Sequence, residues 1–211
     1  MTLRVLLLGA CVLMLPVALA AQSGDSFVPF HEIAFGLGWC GSTENDVFNV
    51  DGVGVGSSVT LGFAYYYNAS RAIAVGFHIY GYPESLGDVV LEHFEGGFRT
   101  VDFDLRIYTF GPRVRWTFVR GSTFSPYAYA GIGLTDGKVD GGTFGSLQLD
   151  GWSVVGGVGS TLITSSHFTL SIEGILSSGR ADWDEPPFRN SAGDDFDPSM
   201  FGILVNLAFL L

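Results

Sequence analysis

The sequence predicts an all-β protein, an eight-stranded antiparallel up-and-down transmembrane β-barrel, and three observations carry that expectation. First, from Tyr108 onward every second residue is bulky and apolar or is the single proline (Tyr108, Phe110, Pro112, Val114, Trp116, Phe118), while Thr109, Gly111, Arg113, Arg115 and Thr117 alternate with them. A period of two sustained over about ten residues is that of a strand with one face in lipid. Second, the 211 residues are 47% hydrophobic and include 30 glycines, with a mean hydropathy of +0.36. Beyond the N-terminus, however, no run reaches the roughly 18 unbroken apolar residues of a spanning helix. Third, the alternating segments are joined in turn by long acidic loops and by short turns, as a closed barrel with both termini on one side requires.

The chain opens with an export signal, predicted over 1–21: Arg4, the apolar run Val5 to Leu15, Pro16, and Ala18-Leu19-Ala20 as an A-x-A cleavage site. Leu8-Gly9-Ala10-Cys11 resembles a lipoprotein cleavage box, but cutting there would split the apolar run and leave the A-x-A site unexplained. Residues 22–211 form the expected mature barrel. Loss of the signal removes Cys11 and leaves Cys40 alone, so no internal disulfide can form. The 10 basic and 21 acidic residues give a net charge of −11. Such a balance excludes nucleic-acid binding, which needs a basic face.

The first strand is predicted at Phe30 to Cys40, with Ile33, Phe35, Leu37 and Trp39 outward and Glu32, Ala34, Gly36 and Gly38 inward. An acidic loop over 41–54 leads to a second strand whose odd positions Val59 to Tyr67 face lipid. Asn68-Ala69-Ser70 is a tight turn, and the third strand rises from Arg71 with His78 and Tyr80 inside. A long loop is expected from Pro83 to about Thr100. Apolar residues then sit at odd positions up to Ile107 and at even positions from Tyr108, so a bulge or strand end is expected between them. Pro112 removes a ladder donor from the middle of the fourth strand. The competing reading makes Gly111-Pro112 a turn, but only an uninterrupted strand keeps the total even.

After a turn near Val119 to Ser125, the fifth strand has Ala128, Ala130, Ile132 and Leu134 outward and Tyr127, Tyr129, Gly131 and Gly133 inward. A loop is expected over 135–145. The sixth strand (about Leu147 to Ser160) turns Trp152, Val154 and Val158 outward, and the seventh (Phe168 to Leu176) turns Ser171 and Glu173 inward. The last loop, 179–198, is the most acidic. The eighth strand alternates Phe201, Ile203, Val205, Leu207 and Phe209 with Gly202, Leu204, Asn206 and Ala208. Aromatic girdles are expected at Trp39, Trp152 and Phe201 on the loop side, and at Tyr65, Tyr67, Trp116, Phe118 and Phe209 on the turn side.

On TFGPRVRWTF, SPYAYAGIGL and the terminal FGILVNLAFLL, the mature chain resembles the small eight-stranded outer-membrane barrels typified by the OmpA transmembrane domain, OmpX, OmpW and the opacity-type proteins. The resemblance implies residence in the outer membrane, with its lipid bilayer as the surroundings and the barrel-assembly machinery reading the last strand. The family pattern usually ends in an aromatic residue, whereas Leu211 is last here and Phe209 third from the end.

Candidate sites are few. Glu32, Arg113, Arg115 and Glu173 face one interior and are expected to pair as a lumen salt-bridge network, with Tyr66, Tyr127 and Tyr129 filling space above the inward glycines. Ser166-His167 is the one adjacent nucleophile and base, but no carboxylate is near in sequence and no catalysis is expected. His31, His78 and His93 lack metal-ligand spacing, so neither metal nor cofactor is expected. Asp182, Asp184, Glu185, Asp194, Asp195 and Asp197 mark the last loop as a candidate interaction loop, a solvated acidic surface being the plainer reading and Ca²⁺ a further one. The expected function is surface interaction with an extracellular or host ligand through the loops. The alternatives are a narrow OmpW-like conduit for small hydrophobic molecules, opened by inward glycines at 36, 62, 76, 131 and 157, and a purely structural envelope protein.

Overall fold

The structure, a computed structural model, describes residues 27–42, 57–92, 98–118, 124–140, 146–183, 195–196 and 199–211. The signal segment and parts of each expected long loop therefore lie outside the described residues. Among the described residues there are nine strands: β1 (Phe30–Ser42), β2 (Ser57–Asn68), β3 (Ile73–Glu92), β4 (Phe98–Thr117), β5 (Ser125–Asp140), β6 (Ser146–Thr164), β7 (Phe168–Trp183), the two-residue β8 (Asp195–Phe196) and β9 (Met200–Leu210). All pairs are antiparallel between chain neighbours, and β9 closes the sheet by pairing with both β7 and β1. Eight long strands thus form an uninterrupted wall. β8 lies outside the count, added to the loop end of β7 through Ala181 and Asp182.

Following hydrogen-bonded partners once around the wall, from Glu32 through Tyr66, Gly76, Arg113, Gly131, Val155, Ser177 and Met200, returns to β1 at Ser42, ten residues further on. That stagger goes with strongly tilted strands and an interior that side chains can fill. Side chains alternate cleanly: β9 is buried and exposed in strict succession over Met200–Phe209. The exposed set is the apolar one, including Phe35, Leu37, Leu61, Ile132, Val158, Ile203 and Val205, which is the arrangement of a wall bathed in hydrocarbon rather than water.

Three expectations about strand limits are corrected. β3 and β4 run through most of the predicted 83–100 loop, β5 reaches Asp140, and β7 continues to Trp183, so much of the acidic loop sequence is ladder. Sequence periodicity missed this because the pattern inverts above the lipid band. There Ile107, Leu149 and Ala181 are inside and almost fully buried, while Arg106, Asp136, Lys138, Asp150 and Asp182 are outside and exposed. A wall leaving lipid for water must exchange its apolar and polar faces.

The same inversion accounts for the second correction. No bulge separates Ile107 from Tyr108, since β4 keeps one register with β3 across them, and the irregularity lies at Ser85/Gly87 on β3. Ile107 is apolar because it fills the lumen, not because it faces lipid. In the third correction, β6 extends to Thr164, leaving Ser165 to His167 as the turn, with a register shift at Thr161/Ile163.

Pro112 lies within a continuous strand, not a turn. The β4–β5 ladder passes from Phe110↔Leu134 to Arg113↔Gly131 without pairing at Gly111 and Pro112, and its register is unchanged across the gap. The missing donor therefore costs pairing locally, while β3 still pairs with both residues. A barrel of this kind is expected to give a far-UV circular dichroism spectrum dominated by β-structure in detergent and to migrate differently on gels before and after boiling. A helix-dominated spectrum would contradict the fold.

Candidate functional site: a lumen closed by two arginine-glutamate pairs

The inward positions of β1, β4 and β7 carry the only charged side chains that are buried among the described residues: Glu32, Arg113, Arg115 and Glu173. Strand alternation puts Arg113 and Arg115 on one face of β4, and the stagger carries β1 and β7 into reach. Arg115 grips Glu32 with both terminal nitrogens, Nη1 to Oε1 at 2.8 Å and Nη2 to Oε2 at 2.5 Å. Arg113 Nη2 meets Glu173 Oε2 at 3.2 Å. Each arginine is matched by one carboxylate, so the interior charges cancel. In so enclosed a space an unmatched charge would be severely destabilising.

Neutral groups complete the shell. Asn68, fully buried, accepts from Arg115 at 3.3 Å and donates to Glu32 at 3.3 Å. Tyr80 donates to Glu173 Oε1 at 3.0 Å and accepts from Arg113 Nη1, and Tyr127 donates to Glu173 Oε2 at 3.2 Å. The guanidinium carbons lie over tyrosine faces, Arg113 at 3.7 Å from the Tyr129 centroid and Arg115 at 4.1 Å from that of Tyr66. Tyr66 also faces Arg113, at 5.0 Å. One ring therefore stands between two cations, a favourable place for its negative face.

The inward glycines make room for these side chains instead of opening a passage. A Cβ at Gly157 would fall 2.6 Å from the Tyr129 hydroxyl, and one at Gly159 would fall 2.6 Å from the Tyr127 ring. At Gly62 a Cβ would meet Leu204 at 2.8 Å and the Tyr80 ring at 3.3 Å. Between the two ion pairs and their tyrosines remains ≈ 10 Å³, room for about one water. Further toward the loops the lumen is filled again, by Leu204, Ile175 and Val155 and then by Ile107 and Leu149, all essentially without exposure.

Other candidates fall elsewhere. Trp39 and Phe201 are exposed and packed edge to face at 5.4 Å, and Trp152 is exposed at the same rim. Tyr65, Trp116, Phe118 and Phe209 are exposed toward the turn end and Tyr67 is half-buried. Asp182 lies on β7 and Asp195 on β8, whereas Asp184, Glu185, Asp194 and Asp197 lie outside the described residues. Ser166 Oγ and His167 Nδ1 are 2.6 Å apart in an exposed turn, and among the described residues no carboxylate hydrogen-bonds that ring. Among the described residues no three His, Cys, Asp or Glu side chains are grouped as metal ligands. Cys40 is buried.

Sequence reasoning missed Asn68 and the hydrogen bonds of Tyr80. The sequence places Asn68 in a turn, yet it continues the inward even parity of β2, and that parity is the available signal. His78 is fully buried beside Tyr80, with ring centroids 5.1 Å apart.

A closed antiparallel wall, apolar outside and filled with neutralised charge inside, defines an integral membrane β-barrel. The chain belongs to the family of the outer membrane protein beta-barrel domain, which its residues 9–209 match. Its fold is similar to that of Neisserial surface protein A, with a TM-score of 0.57 at 11% identity over 87% of this chain and 99% of that one. It is also similar to OprG from Pseudomonas aeruginosa, with a TM-score of 0.53 at 15% identity over 87% and 95%. The N-terminal barrel domain of Pseudomonas aeruginosa OprF gives 0.50 at 10% identity over 87% and 97%. No curated protein sequence matches the chain. It is an outer-membrane barrel protein, with the lipid bilayer as its surroundings.

Replacing Glu173 by Gln leaves Arg113 buried without its counter-charge, and urea unfolding in lipid vesicles should register a loss of about 3 kcal/mol. The double change Arg113→Met with Glu173→Leu should recover most of that loss, because an apolar pair needs no compensation. A single variant as stable as the native chain would contradict the pairing.

Proposed function

We propose that the protein acts at its outer surface, through the loop ends of the wall, as a contact site for an extracellular ligand, and that the barrel itself is a rigid closed mount. The observation that carries this reading is the filled interior: two ion pairs with their tyrosines, then two apolar layers, occupy the described lumen from the turn end to the loop end. A general pore or a wide conduit needs a continuous passage. The wall also invests length on the loop side. β3 and β4 are each 20 residues long, about twice the 9–11 residues of a spanning strand, so they stand well clear of the bilayer. Loops held on a rigid scaffold are where binding chemistry concentrates.

In this reading residues 1–21 are removed on export, both termini of the mature chain lie on the periplasmic side, and the last strand is read by the barrel-assembly machinery. The acidic residues of the final loop, Asp182 to Asp197, form part of the contact surface. The conduit alternative draws support from the glycine content of the lumen, but Leu204 and Tyr80 occupy the space over Gly62, Asn206 and Leu204 that over Gly36, and Tyr129 that over Gly157.

Two measurements test the proposal. Planar bilayers containing the purified protein are expected to show no large, steady open channel, and such a channel would refute the closed mount. Deleting residues 184–194 in cells should reduce binding to host matrix or to cations while leaving uptake of small hydrophobic compounds unchanged. Loss of uptake with intact binding would establish the conduit instead.

A further inference from the structure

Three hydrogen-bonding atoms beside the ion pairs have no partner among the described residues: the Tyr66 hydroxyl, Arg113 Nε and Arg115 Nε, all of them buried. Their neighbours are matched. Both guanidinium groups place terminal nitrogens on carboxylates, and the hydroxyls of Tyr80, Tyr127 and Tyr129 each donate to an oxygen. Tyr66 differs from those three tyrosines, although its ring faces both guanidinium carbons, at 5.0 Å and 4.1 Å. A buried donor or acceptor without a partner has lost its hydration and gained nothing in return. Three such atoms, gathered on one ring and the two cations that flank it, point to a single shared partner.

Room for that partner is present. Tyr66, Arg113 and Arg115 line the ≈ 10 Å³ cavity between the ion pairs, together with Glu32, Glu173 and Asn206. The cavity exists because β1 and β2 carry Ala34, Gly62 and Ala64 at inward positions on its border, where larger side chains would fill it. The other unpartnered buried atoms, on His78, Ser153 and Ser177, do not border this space. Its volume is about that of one water-sized sphere. A chloride ion is larger than water, and the two arginines are already balanced by two carboxylates, so an added anion would leave uncompensated charge in an enclosed lumen. A metal cation would be repelled by two guanidinium groups. The chemistry calls for a neutral molecule of water's size that both accepts and donates.

We infer that the cavity is a binding site for one resident water, which joins the two ion pairs into a single hydrogen-bonded unit. The water accepts from Arg113 Nε and Arg115 Nε and donates to the Tyr66 hydroxyl oxygen, its second hydrogen being left for Glu32, Glu173 or the Asn206 carbonyl. Toward the loops the lumen is filled by Leu204 and Ile175, and toward the turns the buried Asn68 is bonded to the Glu32–Arg115 pair. The water therefore leaves only when an ion pair parts. The inference concerns the lumen and is independent of which ligand meets the loops.

The test is solution NMR of the purified, nitrogen-15-labelled mature barrel in detergent micelles. Cross peaks between water and the Nε–H protons of both Arg113 and Arg115 are expected, with the sign of dipolar contact rather than of exchange, because the water does not leave freely. Exposed Arg106 should show exchange alone. Ala64→Val, which puts two methyl groups against the cavity, should abolish both dipolar peaks, and Tyr66→Phe, which removes one partner, should weaken both. A β-rich spectrum and heat-dependent gel mobility show that each variant has folded. Titration with sodium chloride from a halide-free buffer should leave both Nε–H shifts unchanged. Absence of the dipolar peak at either arginine of the native chain overturns the proposal, and so do peaks that keep their full intensity in either folded variant. A saturable chloride-dependent shift at those protons overturns it as well, because the site would then hold an anion.

Discussion

The ion pairs across the lumen are the constraint on which the rest of this structure depends. An eight-stranded barrel has an interior about as wide as the side chains that fill it, and here four of those side chains carry charge. Two arginines on β4 must find one carboxylate each, on β1 and on β7. The register that brings them together also fixes the stagger of the wall, because a slip of one residue on β4 would turn both guanidinium groups into lipid. Charge neutrality and closure are thus one requirement. The tyrosines follow from it: their faces lie against the guanidinium groups, and the inward glycines at 157 and 159 stand where the rings of Tyr129 and Tyr127 lie over the neighbouring strand β6.

This arrangement explains why the molecule is rigid where a channel would be open. Each arginine is held by a carboxylate and by tyrosine faces, and Glu173 receives bonds from three residues at once. Moving any one member leaves a buried group unsatisfied. A barrel so filled leaves its rim and its outer wall as the surfaces that other molecules can reach.

Much of the fold was legible in the sequence, because a strand between lipid and lumen writes its two faces as alternate letters. The central portion of every long strand, the inward sides of β1, β4, β5 and β7 and the outward aromatics could all be read from parity. The rest was hidden by a change of medium. Above the lipid band, apolar Ile107 and Leu149 turn inward and Asp136 and Asp150 turn outward, so a rule that equates apolar with outward reads ladder as loop. Within the site, Arg113, Arg115, Glu32 and Glu173 were visible as inward charges. Asn68 was not, since its place before a turn masked its parity. Which carboxylate meets which arginine depends on the ten-residue stagger, a property of the closed wall that no single segment contains.

The uneven height of that wall has one more result. β3 and β4 overrun β1, β2 and β9 on the loop side, so the described mouth is shaped like a collar raised on one side. A molecule diffusing along the membrane toward β9, β1 and β2 meets a lower described wall, whereas one arriving at β3 and β4 meets a standing sheet. The described wall is therefore uneven in the plane of the membrane: neighbours on its two flanks meet walls of different height.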